Sequence, residues 1–251
     1  MFAIVLAVLQ ASTDLLKGAL PSLVVASGIV VLLAGLSLVG AAQDAIEGFY
    51  VTAGARGFEV LVLTLGIVIG IVVVLGIASR LGVVLAITPE SGIVAGPLVQ
   101  IVAAAIIGAG WAISTYTSVR SALLTAIAAA AGWVVNLAMT TTGTSPAFAA
   151  ALAASVIGFG VQLAEGGRFR FSALAVTTAA IVPLLPGRAV YRGLFETVSG
   201  ENGSGLYQGL GTLLGAVGVG MGLAAGVSVG TYAARVAVQG VREAADRLTR
   251  S

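Results

Sequence analysis

Long apolar stretches separated by short polar ones follow one another along most of the chain. An α-helix needs about 20 such residues to cross the hydrocarbon core of a bilayer. The pattern predicts continuous spans at residues 20–41, 58–78, 92–114, 121–139, 146–163 and 207–232. Residues 2–11 supply about half of that length and resemble the end of a helix whose beginning is missing. We therefore expect an all-helical, polytopic transmembrane bundle of about seven spans plus a partial N-terminal one.

Prolines predict a local feature in two of these helices. Ser145 followed by Pro146 is a helix-start signal, because serine caps a helix and proline is tolerated in its first turn. Pro97 lies inside the third predicted span, where we expect a kink.

Glycines at four-residue spacing form smooth faces on two spans. Close helix packing in membranes favours such small residues. The second span carries Gly66 and Gly70, and the last span carries a longer stripe of Gly218, Gly222, Gly226 and Gly230. These faces support one alternative function, a non-transporting membrane assembly subunit that associates stably with a partner chain.

Residues 181–196, IVPLLPGRAVYRGLFE, form an apolar segment with breakers inside it. Pro183, Pro186 and Gly187 stand where a spanning helix needs unbroken hydrogen bonding. In lipid such a break is tolerated only where it is buried in protein or lines a wet cavity. The segment thus predicts a broken helix at a substrate site, although the same residues could simply shape the end of a loop.

Composition restricts the chemistry that the chain can perform. Apolar residues make up 59% of the 251 residues and charged residues only 9%, against roughly 25% charged in soluble domains. Cysteine and histidine are absent, which removes disulfides, thiolate metal sites and the commonest catalytic base. We expect no cofactor, no metal and no enzyme activity, since no two acidic residues share one helix face within a span.

Basic residues predict the orientation in the cell membrane. Loops and tail on one side carry Arg56, Arg120, Arg168, Arg170, Arg235, Arg242, Arg247 and Arg250, and the other side carries Lys17, Arg80, Arg188 and Arg192. Cytoplasmic segments are enriched in lysine and arginine, so the basic tail at 236–251 is expected in the cytoplasm. Because this topology explains the net charge of +2, nucleic-acid binding is not expected.

An internal repeat emerges when the sequence is shifted by 152 positions. Residues 29–35 then fall on 181–187, and the ungapped match continues through Asp44 on Glu196, Gly48 on Gly200, Gly66 on Gly218 and Gly70 on Gly222. The second copy begins five spans after the first, an odd number, so the two copies would cross the membrane in opposite directions. Inverted repeats of this kind recur in secondary transporters. We assign residues 1–90 to the remainder of a first repeat and residues 91–235 to a second.

The segment 181–196, together with LAGLSLVGAAQDAIEGFYVTAGARGFE upstream, resembles the threonine/serine exporter family. The resemblance covers nearly the whole chain and implies ten spans in two related halves, of which this chain holds the end of the first and all of the second. It implies export of threonine and serine driven by the proton gradient. The chain departs from the family in two ways. It lacks the N-terminal segment and the opening helices, and the position of the first copy that corresponds to Pro186 is an alanine, Ala34. An incomplete half that needs a partner chain, or a homo-oligomer, is therefore an alternative.

The candidate site residues come from the two copies of the broken segment. The freed backbone groups of a break suit a zwitterionic amino acid, because helix N-terminal N–H groups attract its carboxylate and open carbonyls accept from its ammonium. The substrate-binding candidates are Pro183, Pro186, Gly187, Arg188, Tyr191, Arg192, Gly35 and Asn136. Intramembrane acids often mark proton pathways, and the candidates for proton coupling are Glu196 and Asp44.

Simpler interpretations exist for the charged and polar candidates. Glu196 follows Arg192 by four residues, the spacing of an ordinary ion pair on a helix surface. Arg188 and Arg192 could equally be topology determinants or snorkelling anchors. Asn136 could belong to a helix end, and Asp44 could be an interfacial carboxylate without a role in transport.

Overall fold

The structure is a computed structural model that describes residues 35–80, 96–115, 117–165, 171–199 and 204–249. These residues form eight α-helices and one short 3₁₀ turn, and no strand occurs within the described ranges. The fold is therefore all-helical, as the apolar pattern predicts. The expected partial span at residues 2–11 lies outside the described residues.

The helices follow one another with short connections. The first four are α1 (Gly35–Ile46), α2 (Tyr50–Arg80), α3 (Pro97–Ser114) and α4 (Val119–Thr141). They are followed by α5 (Pro146–Glu165), α6 (Ala173–Ala180), the 3₁₀ turn Val182–Leu184, α7 (Gly187–Ser199) and α8 (Ser204–Thr249). Helix α1 continues past the predicted end at residue 41 and so includes Asp44. Helix α8 likewise continues beyond residue 232 into the basic tail.

Four helices of the described chain are long and apolar enough to cross a membrane. They are α3, α4, α5 and the part of α8 from Gly205 to Gly240. These four fall on four of the predicted spans and establish a membrane protein. The predicted span at 58–78 lies within α2, a helix of 31 residues, and its membrane crossing stays a prediction.

Local capping explains where several helices begin. Ser118 and Ser172 accept hydrogen bonds from the backbone N–H groups of Ser121 and Ala175, which satisfies donors that have no partner inside the helix. Pro146 begins α5 as predicted, with Ser145 Oγ accepting from the N–H of Phe148.

The expected kink at Pro97 is wrong, because Pro97 is the first residue of α3. Gly96 precedes it with φ −54° and ψ 155°, outside the helical region. Proline needs no N–H in the first turn of a helix, and its fixed φ suits that position. The residue therefore begins α3 and does not bend it.

Helices α5 and α8 pack closely against each other through the predicted glycine stripe. A Cβ added to Gly222, Gly226 or Gly230 would overlap a backbone carbonyl oxygen of α5. Those oxygens belong to Ala147, Ala151 and Ser155, which are also spaced four residues apart. The stripe therefore lets two backbones meet directly, as small residues do between membrane helices.

The second glycine face behaves differently within the described residues. A Cβ added to Gly66 or Gly70 would meet no atom within 4 Å. Close packing of this face against another helix therefore stays a prediction.

The acid-bearing helices α1 and α7 both contact α8. Leu38 of α1 lies against Gly220, where an added Cβ would be 3.1 Å from Leu38 Cδ2. Gly193 of α7 lies against Leu213, whose Cγ would be 2.8 Å from an added Cβ. Both helices that carry a candidate acid therefore pack against α8.

Candidate functional site

The segment between α6 and α7 is a broken helix. Helix α6 ends at Ala180, the 3₁₀ turn Val182–Leu184 follows, and α7 begins at Gly187. Hydrogen bonds from the Leu184 and Leu185 N–H groups to Ile181 and Val182 tighten the turn. The interruption coincides with the prolines at 183 and 186, which lack the N–H groups that a continuous helix would use.

The broken backbone is buried in protein. Leu184, Pro186 and Gly187 are buried and Pro183 is half-buried, while the turn packs against α3 and α4. Irregular backbone is tolerated at membrane depth when protein covers it. The arrangement therefore meets the condition that a broken helix at a substrate site requires.

Glu196 is held by two hydrogen bonds from different helices. Arg192 Nε donates to Glu196 Oε1 at 2.6 Å, and Thr212 Oγ1 of α8 donates to Glu196 Oε2 at 2.6 Å. The Glu196 side chain is 19% exposed and that of Arg192 57% exposed. The hydrogen bonds from Thr212 and Arg192 lower the pKa of the Glu196 carboxyl below its ordinary value, against a smaller opposing effect of burial.

Asp44 forms an ion pair with Arg56 of α2. Arg56 Nη1 lies 3.2 Å from Asp44 Oδ2, with the side chains 46% and 17% exposed respectively. Oδ2 is buried and lacks a hydrogen-bond partner among the described residues. The contact with Arg56 is therefore an ion pair without a hydrogen bond to this oxygen. We regard the contact as ionic attraction that leaves Oδ2 able to accept a hydrogen bond.

Gly40 determines how Arg56 reaches Asp44. A Cβ added to Gly40 would stand 2.6 Å from Arg56 Nη1. The arginine therefore crosses the surface of α1 where that helix has no side chain, one turn before Asp44.

The remaining candidates occupy scattered positions. Arg188 is exposed in the first turn of α7, and Asn136 is half-buried on α4. No hydrogen bond of the described residues joins Asn136 to the broken helix. Gly35 is the first described residue of α1, and Tyr191 lies on α7 with a side chain outside the described atoms.

Two residues of the site were missed by the sequence analysis. Arg56 was assigned only to loop topology, and Thr212 received no role. Their acid partners lie 12 and 16 positions away in sequence, beyond helix-face spacing. The repeat could have directed attention to α8 as the counterpart of α2, but it does not specify which side chains meet.

Two further polar atoms in the described chain are buried without a hydrogen-bond partner. They are Trp133 Nε1 on α4 and Ser228 Oγ on α8. Buried polar atoms are usually paired, so each such atom is a candidate contact for a polar ligand. Within the described residues no group of three or more acids could hold a metal ion.

These features define a class of protein, a helical membrane protein with a buried broken helix and two arginine-held carboxylates. A family model described as "Threonine/Serine exporter, ThrE" matches residues 100–229, and a second model, described as "Putative threonine/serine exporter", matches residues 1–78. The chain belongs to the threonine/serine exporter family.

Two curated relatives agree with this assignment. The chain is 37% identical to a "Threonine/serine exporter" of Corynebacterium glutamicum over 227 residues, which are 86% of this chain and 43% of that protein. It is 34% identical to a "Probable threonine/serine exporter" of Mycobacterium tuberculosis strain H37Rv, over 88% of this chain and 42% of that protein. The chain thus spans less than half the length of these relatives. No solved structure matches it.

Proposed function

We propose that this chain forms the substrate pathway of a secondary transporter that exports threonine and serine across the cell membrane in exchange for protons. The buried interruption between Ala180 and Gly187 carries the proposal. Transporters form their sites from such discontinuous helices, whose half-helix ends and unwound backbone groups bind polar substrates. Family membership supports the substrate class.

The N-terminus of α7 suits the carboxylate of an amino acid. The Val190 N–H donates to the Pro186 carbonyl, and the N–H groups before it lack partners within the helix. The helix dipole adds partial positive charge at this end, and Arg188 and Arg192 lie in the first two turns. The carbonyls of the 3₁₀ turn would accept from the substrate ammonium.

Proton coupling is assigned to Glu196 and Asp44. Thr212 and Arg192 lower the pKa of Glu196, so this carboxylate stays ionised at neutral pH in the observed arrangement. Protonation would weaken both contacts and release α7 from Thr212. Asp44 Oδ2, which lacks a hydrogen-bond partner among the described residues, is available to accept a hydrogen bond from the substrate ammonium.

The energy of one proton is sufficient for useful export. A charge that moves through 100 mV gains about 2.3 kcal/mol, which corresponds to about a fiftyfold concentration ratio. One or two protons per substrate therefore suffice.

Alternating access would come from the two repeat copies. The α1 and α7 contacts on α8, at Gly220 and Gly209, are 11 residues apart, or roughly 16 Å along the helix axis. If the copies are inverted, as their offset of five spans predicts, rocking of one copy against the other would open the site to either side in turn.

The alternative to this proposal is a half that requires a partner chain, or an assembly subunit without transport activity. This alternative predicts no substrate-dependent stabilisation of the chain alone.

Counterflow in proteoliposomes tests the proposal. Vesicles that contain the purified chain and unlabelled threonine should accumulate labelled threonine and serine, whereas empty vesicles should not. Thermal unfolding in detergent should show stabilisation by threonine and serine, with lysine as the control amino acid. Absence of both counterflow and stabilisation would refute the proposal and favour the assembly subunit.

A further inference from the structure

We propose that Arg56 and Arg192 are equivalent positioning residues, which hold Asp44 in the first repeat copy and Glu196 in the second. The two arginines occupy different positions of the repeat: Arg56 lies on the helix after its acid, and Arg192 lies on the same helix as its acid. The inference rests on the proposed function, in which these two acids couple protons to transport. It adds Arg56 to the site and relates the path of that side chain to Gly40, where the missing side chain leaves room for the guanidinium.

The first observation is the path of the Arg56 side chain. Its Nη1 lies 3.2 Å from Asp44 Oδ2 and 2.6 Å from the place where a Cβ on Gly40 would stand. The guanidinium therefore occupies the space that a side chain at position 40 would need. In the first copy, α2 supplies the positive charge and α1 leaves room for it.

The second observation is the register of the repeat. A shift of 152 positions places Gly40 on Arg192 and Arg56 on Gln208. The glycine that Arg56 crosses therefore corresponds to the arginine that binds Glu196, and the arginine of α2 corresponds to an uncharged residue of α8. In each copy one arginine contacts the candidate acid, but that arginine comes from opposite members of the helix pair.

The third observation concerns the face of the following helix. Glu196 accepts from Thr212, whose counterpart in the first copy is Val60. Val60 is one turn after Arg56, just as Thr212 is one turn after Gln208. Asp44 therefore contacts the helix that follows it at Arg56, and Glu196 contacts its following helix at Thr212, one turn further on in the register of the repeat.

Charge balance gives a physical reason for the exchange. An acid within a membrane protein is costly unless it is paired. Arginines at both positions 40 and 56 would compete for one space and place two positive charges beside one carboxylate. Arginine at neither position would leave Asp44 unpaired. One arginine at either position 40 or position 56 keeps one positive charge paired with the acid.

A relocation experiment tests the equivalence in the reconstituted chain. R56Q should lower threonine counterflow about tenfold, and G40R/R56Q, which copies the arrangement of the second repeat, should recover it to within about threefold. G40R alone should not support normal counterflow, because two guanidinium groups then meet at one acid. R120Q, on the exposed start of α4, is the matched control and should leave counterflow unchanged.

A double-mutant cycle separates positioning from a general structural effect. If Arg56 acts through Asp44, R56Q should cause no further loss of threonine-dependent thermal stabilisation in a D44N background. Additive losses would overturn the proposal. A folded G40R/R56Q variant as inactive as R56Q would also overturn it.

The experiments distinguish failure of the proposed transport function from failure of the arginine equivalence. If the unmodified chain shows no counterflow and no stabilisation by threonine, the proposed function fails. The equivalence is then judged from the unfolding midpoint, which R56Q should lower and G40R/R56Q should restore. A midpoint that the double variant does not restore would overturn the equivalence as well.

Discussion

Gly226 of α8 lies against the carbonyl oxygen of Ala151 of α5 so closely that a Cβ on the glycine would overlap it. Gly222 and Gly230 stand in the same relation to Ala147 and Ser155. The contact joins two of the four helices that, within the described part of the chain, are apolar and long enough to cross a membrane. It is therefore the best place to measure what close backbone packing contributes to the stability of this bundle.

Gly226→Ala is expected to destabilise the protein. The new methyl group must push α5 and α8 apart, at a cost of about 1–3 kcal/mol, which exceeds the gain of about 1 kcal/mol in helix propensity. Gly211→Ala is the matched control, because an added Cβ on Gly211 of the same helix meets nothing within 4 Å. Thermal unfolding in detergent should show a lower midpoint for Gly226→Ala and an unchanged or higher one for the control. Equal midpoints for the two variants would contradict direct backbone contact.

Glu196→Gln is expected to abolish pH-driven threonine efflux while the protein still folds. Glutamine keeps the size of the side chain and can still accept from Thr212, but it cannot release a proton. Efflux from liposomes under an imposed pH gradient measures the effect, and size-exclusion chromatography checks folding. Unchanged efflux would remove Glu196 from the mechanism.

Glu196 also predicts how stability changes in acid. Because its pKa is lowered in the folded protein, its contribution is fully present above the ordinary pKa and is lost as pH falls through the lowered folded value. Wild-type protein should therefore lose more stability than Glu196→Gln as the pH is lowered below about 4. Parallel unfolding midpoints across that range would show that the two hydrogen bonds do not stabilise the ionised form.

Thr212→Val is expected to raise the pKa of Glu196, since the hydrogen bond from Thr212 is the largest cause that lowers it. Valine has a similar shape but cannot donate. The pH dependence of threonine exchange should shift towards higher pH, with little change in folding. Thr178→Val is a suitable control because Thr178 donates to the Leu174 carbonyl of its own helix. A shift of equal size in the control would argue against a specific effect at Glu196.

The orientation of the bundle is open to direct labelling because the chain contains no cysteine. With a cytoplasmic tail, cysteines at Ser118 and Thr249 should react with a membrane-impermeant maleimide only from the cytoplasmic side. Cysteines at Thr144 and Ser204 should react only from the outside, since each is one span away from the first pair. The reversed pattern would contradict the orientation that the arginine distribution predicts.

Much of the fold could be predicted from local sequence chemistry. The spans follow from the length of the apolar runs, and α5 begins at Pro146 because serine and proline favour that boundary wherever the helix packs. The interruption before Gly187 follows in the same way from two missing N–H groups. The glycine stripe on α8 predicts that some helix packs closely there, since only small residues allow backbones to meet.

Only the tertiary structure decided which groups meet. Whether Pro97 kinks a helix or begins one depends on the path of the preceding residues, and the proline itself suits both roles. The partners of Asp44 and Glu196 depend on how α2 and α8 are rotated against the short helices before them. Sequence by itself predicted membrane helices, a break and two candidate acids at matching positions of a repeat. Packing between helices decided that Arg56 crosses Gly40 and that Thr212 binds Glu196, because such contacts depend on rotation and register that no single helix encodes.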